Sequence, residues 1–338
     1  MNRRIIAFIC AFFFTVCAFA ASKKKSEKMP DWINNPTANY KEDAYITGVG
    51  SGKKRRDAEN EAIAAIGKYL KQSIQAEEKT TQSYSSSGAG SESYLSNIQT
   101  QTSLSDIAGI SIKETFTATD GTEYALAILN RNESGSYYRS KVEENNKAIS
   151  QLLDQASKDS GSLQSCSNAM KAYSLALDND YYLSLLAIIK PIYRKVESSA
   201  LSSNEIAQKV SELLSKVNML VSVDGDTNGR IAGAFSSSLG SLGIKTFGGT
   251  SGGEKIRYNL LANISYEPVT VNASNYYFCR YNITVEIIDQ TTGKNVLPWS
   301  KNARVGKLSE QEAQTAAVKA LETAVKNEFA NAVSASLK

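Results

Sequence analysis

The chain has 338 residues, of which 42% are hydrophobic, 38 are basic and 34 are acidic. This length exceeds what one hydrophobic core usually serves, so we expect two or three domains. The formal net charge of +4 does not indicate a globally basic nucleic-acid binder. Histidine is absent, which excludes Ser-His-Asp and Cys-His nucleophilic catalysis and the usual imidazole metal sites. The composition therefore favours a non-enzymatic protein with no nucleic-acid partner.

The first twenty residues have the order of a secretory signal peptide. Basic Arg3 and Arg4 precede a long apolar run, and small residues up to Ala20 form a cleavage site. We therefore predict a signal peptide over residues 1–20 and export to the periplasm or to the periplasmic face of the outer membrane. Two alternatives stay open. One is an uncleaved membrane anchor. The other is a lipid on Cys17, although lipoprotein signals prefer a smaller residue than valine before the cysteine.

A first domain is predicted over residues 30–132, after a polar and basic linker over residues 21–29. A short strand begins at Tyr45, and apolar residues at helical spacing predict a helix over residues 54–76. The apolar face of this helix is rich in alanine, which would let the helix lie close to a sheet.

The second half of this domain begins with residues 79–105, which are rich in Ser, Thr and Gly and predict a loop or an extended excursion. Two strand-like runs then flank Asp120-Gly121. This dipeptide is favoured in tight hairpin turns, so a hairpin is expected to close the domain.

The glycine-rich stretch that contains Gly48 and Gly50 lies between the predicted strand and helix, where a phosphate-binding loop would lie. A dinucleotide fingerprint requires a glycine where Lys53 stands and a βαβ unit that the polar run after residue 78 does not supply. A P-loop requires serine or threonine where Lys54 stands. The spacing therefore argues against a nucleotide site.

Four cations follow the glycines: Lys53, Lys54, Arg55 and Arg56. Cations at a helix N-terminus oppose the positive end of the helix dipole. The run is therefore interpreted either as a solvated first turn, with Asp57 as the effective start of the helix, or as an anion-binding patch for lipid headgroups or another acidic envelope polymer.

The rest of the chain is predicted to contain a helical segment over residues 133–217 and a mixed domain over residues 218–338. Pro191 indicates several helices instead of one long rod. Apolar residues alternate over residues 258–266 and again over residues 277–287, which predicts two half-buried strands.

The segment Asp224-Gly-Asp226-Thr-Asn228-Gly matches the first half of a calcium-binding loop. Position twelve of that loop, which should be a bidentate glutamate, is Phe235. The alternative is a polar strand-to-helix turn in which Asp226 or Asn228 caps the next helix. We therefore predict no metal site beyond this weak calcium candidate.

Two cysteines lie outside the signal peptide, Cys166 and Cys279. An oxidising compartment would permit one disulfide between them. Both also lie at apolar positions of predicted elements, where a lone cysteine is more often a small buried hydrophobe.

The first domain, with PDWINNP, YITGVGSG, an alanine-bearing helix and DGTEYALAILNR, resembles the LPP20 lipoprotein family, whose fold is also similar to the N-terminal domain of the flagellar ring protein FlgT. The resemblance implies that Trp32, Gly48 and Gly50 shape this domain and that the glycines let the strand turn sharply into its helix. The valine before Cys17 departs from the lipoprotein members of the family.

Residues 218–338 are similar to the domain shared by the TolB N-terminus, LpoB and CsgG, a resemblance carried by the hairpin DQTTGK and a terminal helix. It implies that Thr292 and Gly293 shape the late hairpin, and it implies no cofactor. Members of this group act as binding and assembly modules at the envelope.

Together the patterns and resemblances predict an α+β protein with two small mixed modules joined by a helical segment. We expect a non-enzymatic binding or assembly protein of the cell envelope, as an accessory of a flagellar or other periplasmic complex, with envelope proteins as partners and association with the outer membrane. One alternative is a regulator of peptidoglycan synthesis. An alternative of another class is a carboxylate-based glycan-cleaving enzyme.

Overall fold

The computed structural model of the protein describes the following residues: 28–82, 107–193, 201–249, 255–271 and 275–337. The predicted signal peptide, Cys17 and most of the Ser- and Gly-rich segment lie outside these residues. The chain divides into two compact units. Unit 1 contains the described residues up to Gly67 together with Ile110–Leu129, and unit 2 contains the other described residues. Each unit combines helices with a sheet, which confirms the predicted α+β class.

Unit 1 is built on a three-stranded sheet with the strand order β1-β3-β2. Its elements are β1 (Tyr45–Gly52), α1 (Arg55–Gln82), which begins in this unit, β2 (Ile110–Thr117) and β3 (Glu123–Asn130). The central strand β3 is buried on both faces, since Ala125–Leu129 are all at most 3% exposed. Leu126 and Ile128 point to a cluster that contains Trp32.

Two predicted boundaries in this region differ from the structure. Helix α1 continues to Gln82 instead of ending near residue 76, because Ala, Glu and Lys after residue 75 are good helix formers. The predicted hairpin forms, but its loop is longer than a two-residue turn: the amide of Ala118 donates to the carbonyl of Thr122 (2.8 Å). The carboxylate of Asp120 accepts a hydrogen bond from the amide of Thr122 (2.9 Å), which stabilises this wider loop and lowers the pKa of Asp120.

Unit 2 contains the predicted helical segment. Its long helices are α2 (Arg131–Lys158), α3 (Leu163–Ile189) and α4 (Ser203–Ser215). Capping residues fix where these helices begin: the side chain of Asn130 caps α2, that of Ser162 caps α3, and Ser202 with Glu205 forms a capping box on α4. Helix α3 ends before Pro191, since the residue before a proline disfavours helical backbone.

The second sheet of the chain has five strands in the order β5-β4-β6-β7-β8. The strands are β4 (Asn218–Asp224), β5 (Lys245–Gly248), β6 (Tyr258–Val269), β7 (Tyr277–Asp289) and β8 (Asn295–Lys307). Strand β4 runs parallel to β5 and β6, whereas β6, β7 and β8 form an antiparallel meander. The remaining helices are α5 (Arg230–Gly240), α6 (Glu310–Ala324) and α7 (Ala330–Leu337), with a π-helical turn at Val325–Phe329 between the last two.

One face of the five-stranded sheet is covered by these helices. Phe235 of α5, Trp299 of β8 and Phe329 of the π-helical turn pack edge to face, with ring centroids 4.8 to 6.4 Å apart. Every second residue of β7 from Cys279 to Asp289 is buried on this side. The residues between them are exposed or half-buried, so the strands have the alternation that was predicted from the sequence.

The helices of the middle segment share a core with this sheet. Leu163 and Cys166 of α3 belong to the same buried cluster as the strands β4, β6 and β7. Arg257, just before β6, donates two hydrogen bonds to the carboxylate of Asp159 (2.6 and 2.8 Å). These hydrogen bonds hold the pKa of the Asp159 carboxyl group below its usual value, and they join the end of α2 to the start of the central strand β6.

Both cysteines of the described residues are buried and free, so no disulfide joins Cys166 and Cys279. Burial raises the pKa of the Cys166 thiol to about 12. The structure therefore agrees with the alternative that treats both side chains as small buried hydrophobes.

Candidate functional site

The glycines of β1 lie directly against helix α1. A methyl group added at Gly50 would come within 2.3 Å of the carbonyl oxygen of Ala58 and of the amide nitrogen of Ala62. At Gly48 it would meet the carbonyl oxygen of Ala62 at 2.4 Å. Since side-chain carbons do not approach backbone atoms this closely, both positions require glycine for packing. The motif is therefore used to bring the helix onto the strand.

A carboxylate occupies the place at the end of β1 where a phosphate-binding loop would present its backbone amides. Glu61 of α1 accepts a hydrogen bond from the amide of Ser51 (2.6 Å) and one from its hydroxyl group (3.4 Å). The amide of Ser51 therefore already has a hydrogen-bond acceptor within the protein, the carboxylate of Glu61. This geometry agrees with the prediction that the glycine-rich stretch is not a nucleotide site.

The basic run Lys53–Arg56 is exposed at the beginning of α1. The carbonyl of Lys54 accepts the first helical hydrogen bonds, from Asp57 and Ala58. Arg55 forms an i,i+4 ion pair with Glu59 (2.7 Å). The run thus forms a solvated first turn, and the anion-binding patch stays a prediction whose test is salt-dependent binding that is lost when Arg55 and Arg56 are neutralised.

The turn that contains the calcium candidate is used to cap a helix. One oxygen of the Asp226 carboxylate accepts hydrogen bonds from the amides of Ile231 and Ala232, both 2.8 Å long. Asp224 accepts one from the amide of Gly225 (3.0 Å), and Asn228 follows in the same turn. Within the described ranges no group of three or more Cys, Asp and Glu side chains could hold a metal ion.

The residues that were expected to shape the domains lie at structural positions. Trp32 is 4% exposed and packs against β3. At the β7–β8 hairpin Gly293 adopts a positive φ of 68°, and its amide donates to the carbonyl of Asp289 (2.7 Å). Thr292 donates its amide to the same carbonyl (3.2 Å). None of these side chains lines either of the two depressions described below.

A groove of about 790 Å³ lies where β8 passes into α6. Its walls are formed by Tyr276, Lys307 and Leu308 on the strand side and by residues on the flank of α6 that include Thr315 and Lys319. Leu308 is 70% exposed and Tyr276 is 56% exposed. Exposed apolar side chains that are grouped on a surface mark sites where other molecules bind. The groove is therefore a candidate contact surface of the described part of unit 2.

The sequence did not identify this surface. The alternation that predicts β7 places Tyr277 on the buried face, but in the structure Tyr277 is 56% exposed. A helix begins only at Glu310, beyond the register partner of Tyr277, which is Lys307. The available signal was the absence of any charged residue from Pro268 to Cys279.

A second, shallower depression of about 590 Å³ lies on the open face of the five-stranded sheet. It is lined by polar side chains, among them Asp224, Asn263, Thr284 and Glu286. The glycan-cleaving alternative requires at least two carboxylates at one site, and those of Asp224 and Glu286 both line this depression. The open face is otherwise ordinary for an antiparallel sheet, one side of which commonly faces water.

Residues 30–130 match the family model of the LPP20 lipoproteins. This confirms the predicted resemblance of the first domain, which was placed at residues 30–132. The resemblance of residues 218–338 to the TolB, LpoB and CsgG group stays a prediction. No curated protein matches the chain.

The solved structures that are similar to the chain include two bacterial proteins. The secreted protein HP1454 from the human pathogen Helicobacter pylori has 14% sequence identity and a TM-score of 0.41, over 84% of this chain and 98% of that protein. A minor lipoprotein from Acinetobacter baumannii has 10% identity and a TM-score of 0.26, over 35% of this chain and 92% of that protein. Both TM-scores are below 0.5, so neither similarity identifies the fold of this chain. None of the helices in the described residues is long and apolar enough to span a membrane.

Proposed function

We propose that the protein is an exported, non-enzymatic component of the cell envelope that binds or helps to assemble other envelope molecules. The match of residues 30–130 to a lipoprotein family carries this proposal. The first twenty residues give independent support, because basic residues, an apolar run and a cleavage site follow each other there as in a secretory signal peptide.

The use of the motif residues in the fold supports a binding role over catalysis. The glycines of β1 accommodate α1, and the carboxylate of Asp226 caps α5. Both motifs therefore have a use within the fold that requires neither a phosphate nor a metal. Other molecules can instead contact exposed surfaces of the protein, and the groove beside Leu308 is the main candidate.

Two settings are proposed for this role. The resemblance of the first domain to the flagellar ring protein FlgT supports an accessory of the flagellar basal body or of another periplasmic complex. The resemblance of residues 218–338 to LpoB supports a regulator of peptidoglycan synthesis. The two settings differ in their protein partners, so a search for partners distinguishes them.

The glycan-cleaving alternative has one structural observation in its favour, the shared depression of Asp224 and Glu286. We expect the purified protein not to clear peptidoglycan embedded in a gel. Clearing that is abolished by Glu286→Gln, and kept by Glu267→Gln outside the depression, would establish an enzyme and overturn the proposal.

Cell fractionation combined with the mass of the mature chain tests the proposal of export. We expect the protein in the envelope fraction, with a chain that begins at Ala21. A mass that corresponds to an acylated N-terminal Cys17 would keep the envelope role and add a lipid anchor. Recovery of the uncleaved chain in the cytosol would contradict the proposal.

A further inference from the structure

A second surface of unit 2 is the outer edge of β8. The five-stranded sheet ends on one side in β5, which has 4 residues, and on the other side in β8, which has 13. Natural sheets usually have a short or covered edge, since an open edge presents unpaired backbone groups to other chains. In the described part of unit 2 no strand pairs with β8 on its outer side. This edge is therefore long enough for the addition of a further strand.

Two hydrogen bonds at the end of β7 show which backbone groups of β8 face outward. The amide of Asp289 donates to the carbonyl of Lys294, which precedes β8 (2.9 Å). The amide of Gln290 donates to the carbonyl of Arg257, which precedes β6 (2.8 Å). Since successive residues of a strand direct their backbone groups to opposite sides, the even-numbered residues of β7 up to Glu286 bond to β6. Their register partners on β8 direct their backbone groups outward: Pro298, Ser300, Asn302, Arg304 and Gly306.

Pro298 agrees with this assignment. Proline has no backbone N–H group, and within a sheet it is confined to positions such as an edge where that group would face away from the ladder. Between Ser300 and Gly306 every second residue presents both an N–H and a C=O group to the outside. This stretch is about 20 Å long at ~3.4 Å per residue, which suits an extended segment of about six or seven residues.

The side chains of β8 on the helix-covered face are incompletely buried. On β7 every second residue from Cys279 to Ile287 is buried. The register partners of this row on β8 are half-buried from Trp299 to Val305. The helix layer thus leaves apolar side chains partly exposed at the edge of the sheet. A further strand would cover Trp299, Ala303 and Val305 with its own side chains.

The charges of β8 favour an acidic partner. From Asn295 to Lys307 the strand contains no acidic residue. Exposed Arg304 lies opposite Arg280 of β7, and like charges directly opposite each other on neighbouring strands are destabilising. Among the described residues Arg304 lies over the ring of Phe278, 4.7 Å from its centre, and takes part in no ion pair. A carboxylate on an added strand would offset this repulsion.

The same charges argue against a second copy of this chain as the added strand. Two β8 strands side by side would bring together their cations, with no acid on either strand. These cations are Lys301, Arg304 and Lys307, of which Lys301 is paired with Glu328 (2.7 Å). Charges on an edge strand commonly prevent such self-association, and they can at the same time select a partner of opposite charge.

We propose that the outer edge of β8 binds an extended acidic segment of another protein, which adds a strand to the sheet. The backbone groups of Ser300, Asn302 and Arg304 hydrogen-bond to this segment, and one of its carboxylates lies beside the Arg304 guanidinium. Its apolar side chains lie on the opposite face, against Ala303 and Val305. The inference rests on the proposed role in binding envelope molecules, and it gives the chemistry of one partner.

The test selects peptides from a displayed library of random sequences with the purified chain that begins at Ala21. Arg304→Glu reverses the charge at the edge. Its matched control is Lys209→Glu, which changes the net charge by the same amount at an exposed position of α4. Asn302→Pro removes one outward N–H group and keeps the ladder with β7.

We expect the parent and Lys209→Glu to select acidic peptides, and Arg304→Glu to select basic ones. An acidic peptide selected by the parent should bind at least about tenfold more weakly to Arg304→Glu and to Asn302→Pro. The proposal is overturned if the parent selects no peptide, if Arg304→Glu selects the same peptides, or if Asn302→Pro binds them unchanged. A parent that forms a dimer which Asn302→Pro dissociates would also overturn it, since a second copy would then occupy the edge.

Amide hydrogen exchange tests the edge without a substitution. In the free chain the amides of Asn302 and Arg304 should exchange faster than those of Lys301 and Ala303, which bond to β7, and the selected peptide should slow the faster pair. Slow exchange of all four amides in the free chain would show that the edge is already covered and would overturn the proposal. If peptide binding fails while crosslinking in cells still recovers envelope partners, the envelope role stands and the proposal for β8 is wrong.

Discussion

Substitution of Gly50 by alanine tests whether the glycine-rich stretch serves packing. In the structure the new methyl group would lie 2.3 Å from two backbone atoms of α1, the oxygen of Ala58 and the nitrogen of Ala62. Neither atom can move without a shift of the whole helix. Overpacking of this kind typically costs 1–3 kcal/mol. Because both contacts are with the backbone, we expect a loss near the upper limit, about 3 kcal/mol of the free energy of unfolding of unit 1.

The two tryptophans of the chain allow this loss to be measured for unit 1 alone. Trp32 is buried in unit 1, whereas Trp299 belongs to unit 2. In a Trp299→Phe background, the fluorescence of Trp32 during urea unfolding reports on the unit that contains β1. Phenylalanine at position 299 keeps an aromatic ring between Phe235 and Phe329.

The matched control is Gly233→Ala in α5, where an added methyl group would meet nothing within 4 Å. Alanine is favoured over glycine inside a helix, so this variant should gain about 0.5–1 kcal/mol in unit 2, which is followed by Trp299 in a chain that keeps this residue. The two alanines thus have opposite expected signs. A free energy of unfolding for Gly50→Ala within about 0.5 kcal/mol of its parent would refute the packing argument.

Three further predictions concern unit 2. Arg257→Met should lower the free energy of unfolding by about 1–3 kcal/mol, because the variant loses the two hydrogen bonds to Asp159. Arg257 lowers the pKa of the Asp159 carboxyl group in the folded protein. The stabilisation by this ion pair is therefore complete above the unfolded pKa of about 4 and is lost as the pH falls through the lower folded pKa. If the melting temperature of the variant depends on acid in the same way as that of the parent, this account of the ion pair is wrong. Asp226→Ala should cost about 1 kcal/mol as a lost helix cap, and excess calcium should leave the melting temperature of the parent unchanged; a calcium-dependent rise would instead support the calcium loop. Cys166 and Cys279 should both react with a thiol reagent after unfolding without reductant, and neither should react in the folded protein; no reaction after unfolding would indicate a disulfide.

Features that depend on neighbouring residues could be predicted from the sequence. The alternation over residues 258–266 describes β6, and Gly50 lies where β1 meets α1. Asp226 caps α5 in the way that short acidic residues commonly do. The amide of Glu312 donates to the hydroxyl oxygen of Ser309 at the start of α6, and serine is a preferred residue at this position of a helix. In each case the physical cause lies within a few residues of its effect.

Features that depend on distant residues could not be predicted in the same way. Strand β5 has four residues and exists through parallel pairing with β4, from which a helix separates it in sequence. Its own sequence, KTFG, has too little period to indicate a strand. Arg257 and Asp159 lie 98 positions apart, and no local pattern identifies such a pair among 34 acids and 38 bases.

The exposed start of β7 shows why the groove beside Leu308 could not be predicted. Alternation identifies the face of a strand on which a residue lies, but the cover over that face is provided by other elements. Tyr277 lies on the helix-covered side of β7 and is still exposed, whereas Tyr281 on the same side is 3% exposed. The difference is the extent of the helix layer, which only the folded structure reveals.

The central claim is that the protein binds other components of the cell envelope. In-cell crosslinking of an epitope-tagged chain, followed by purification and mass spectrometry of the partners, tests it most directly. We predict enrichment of envelope proteins, with flagellar basal-body components in the first setting and cell-wall synthases in the second. Recovery of cytosolic proteins alone, or of no partner from an envelope fraction that contains the protein, would contradict the claim.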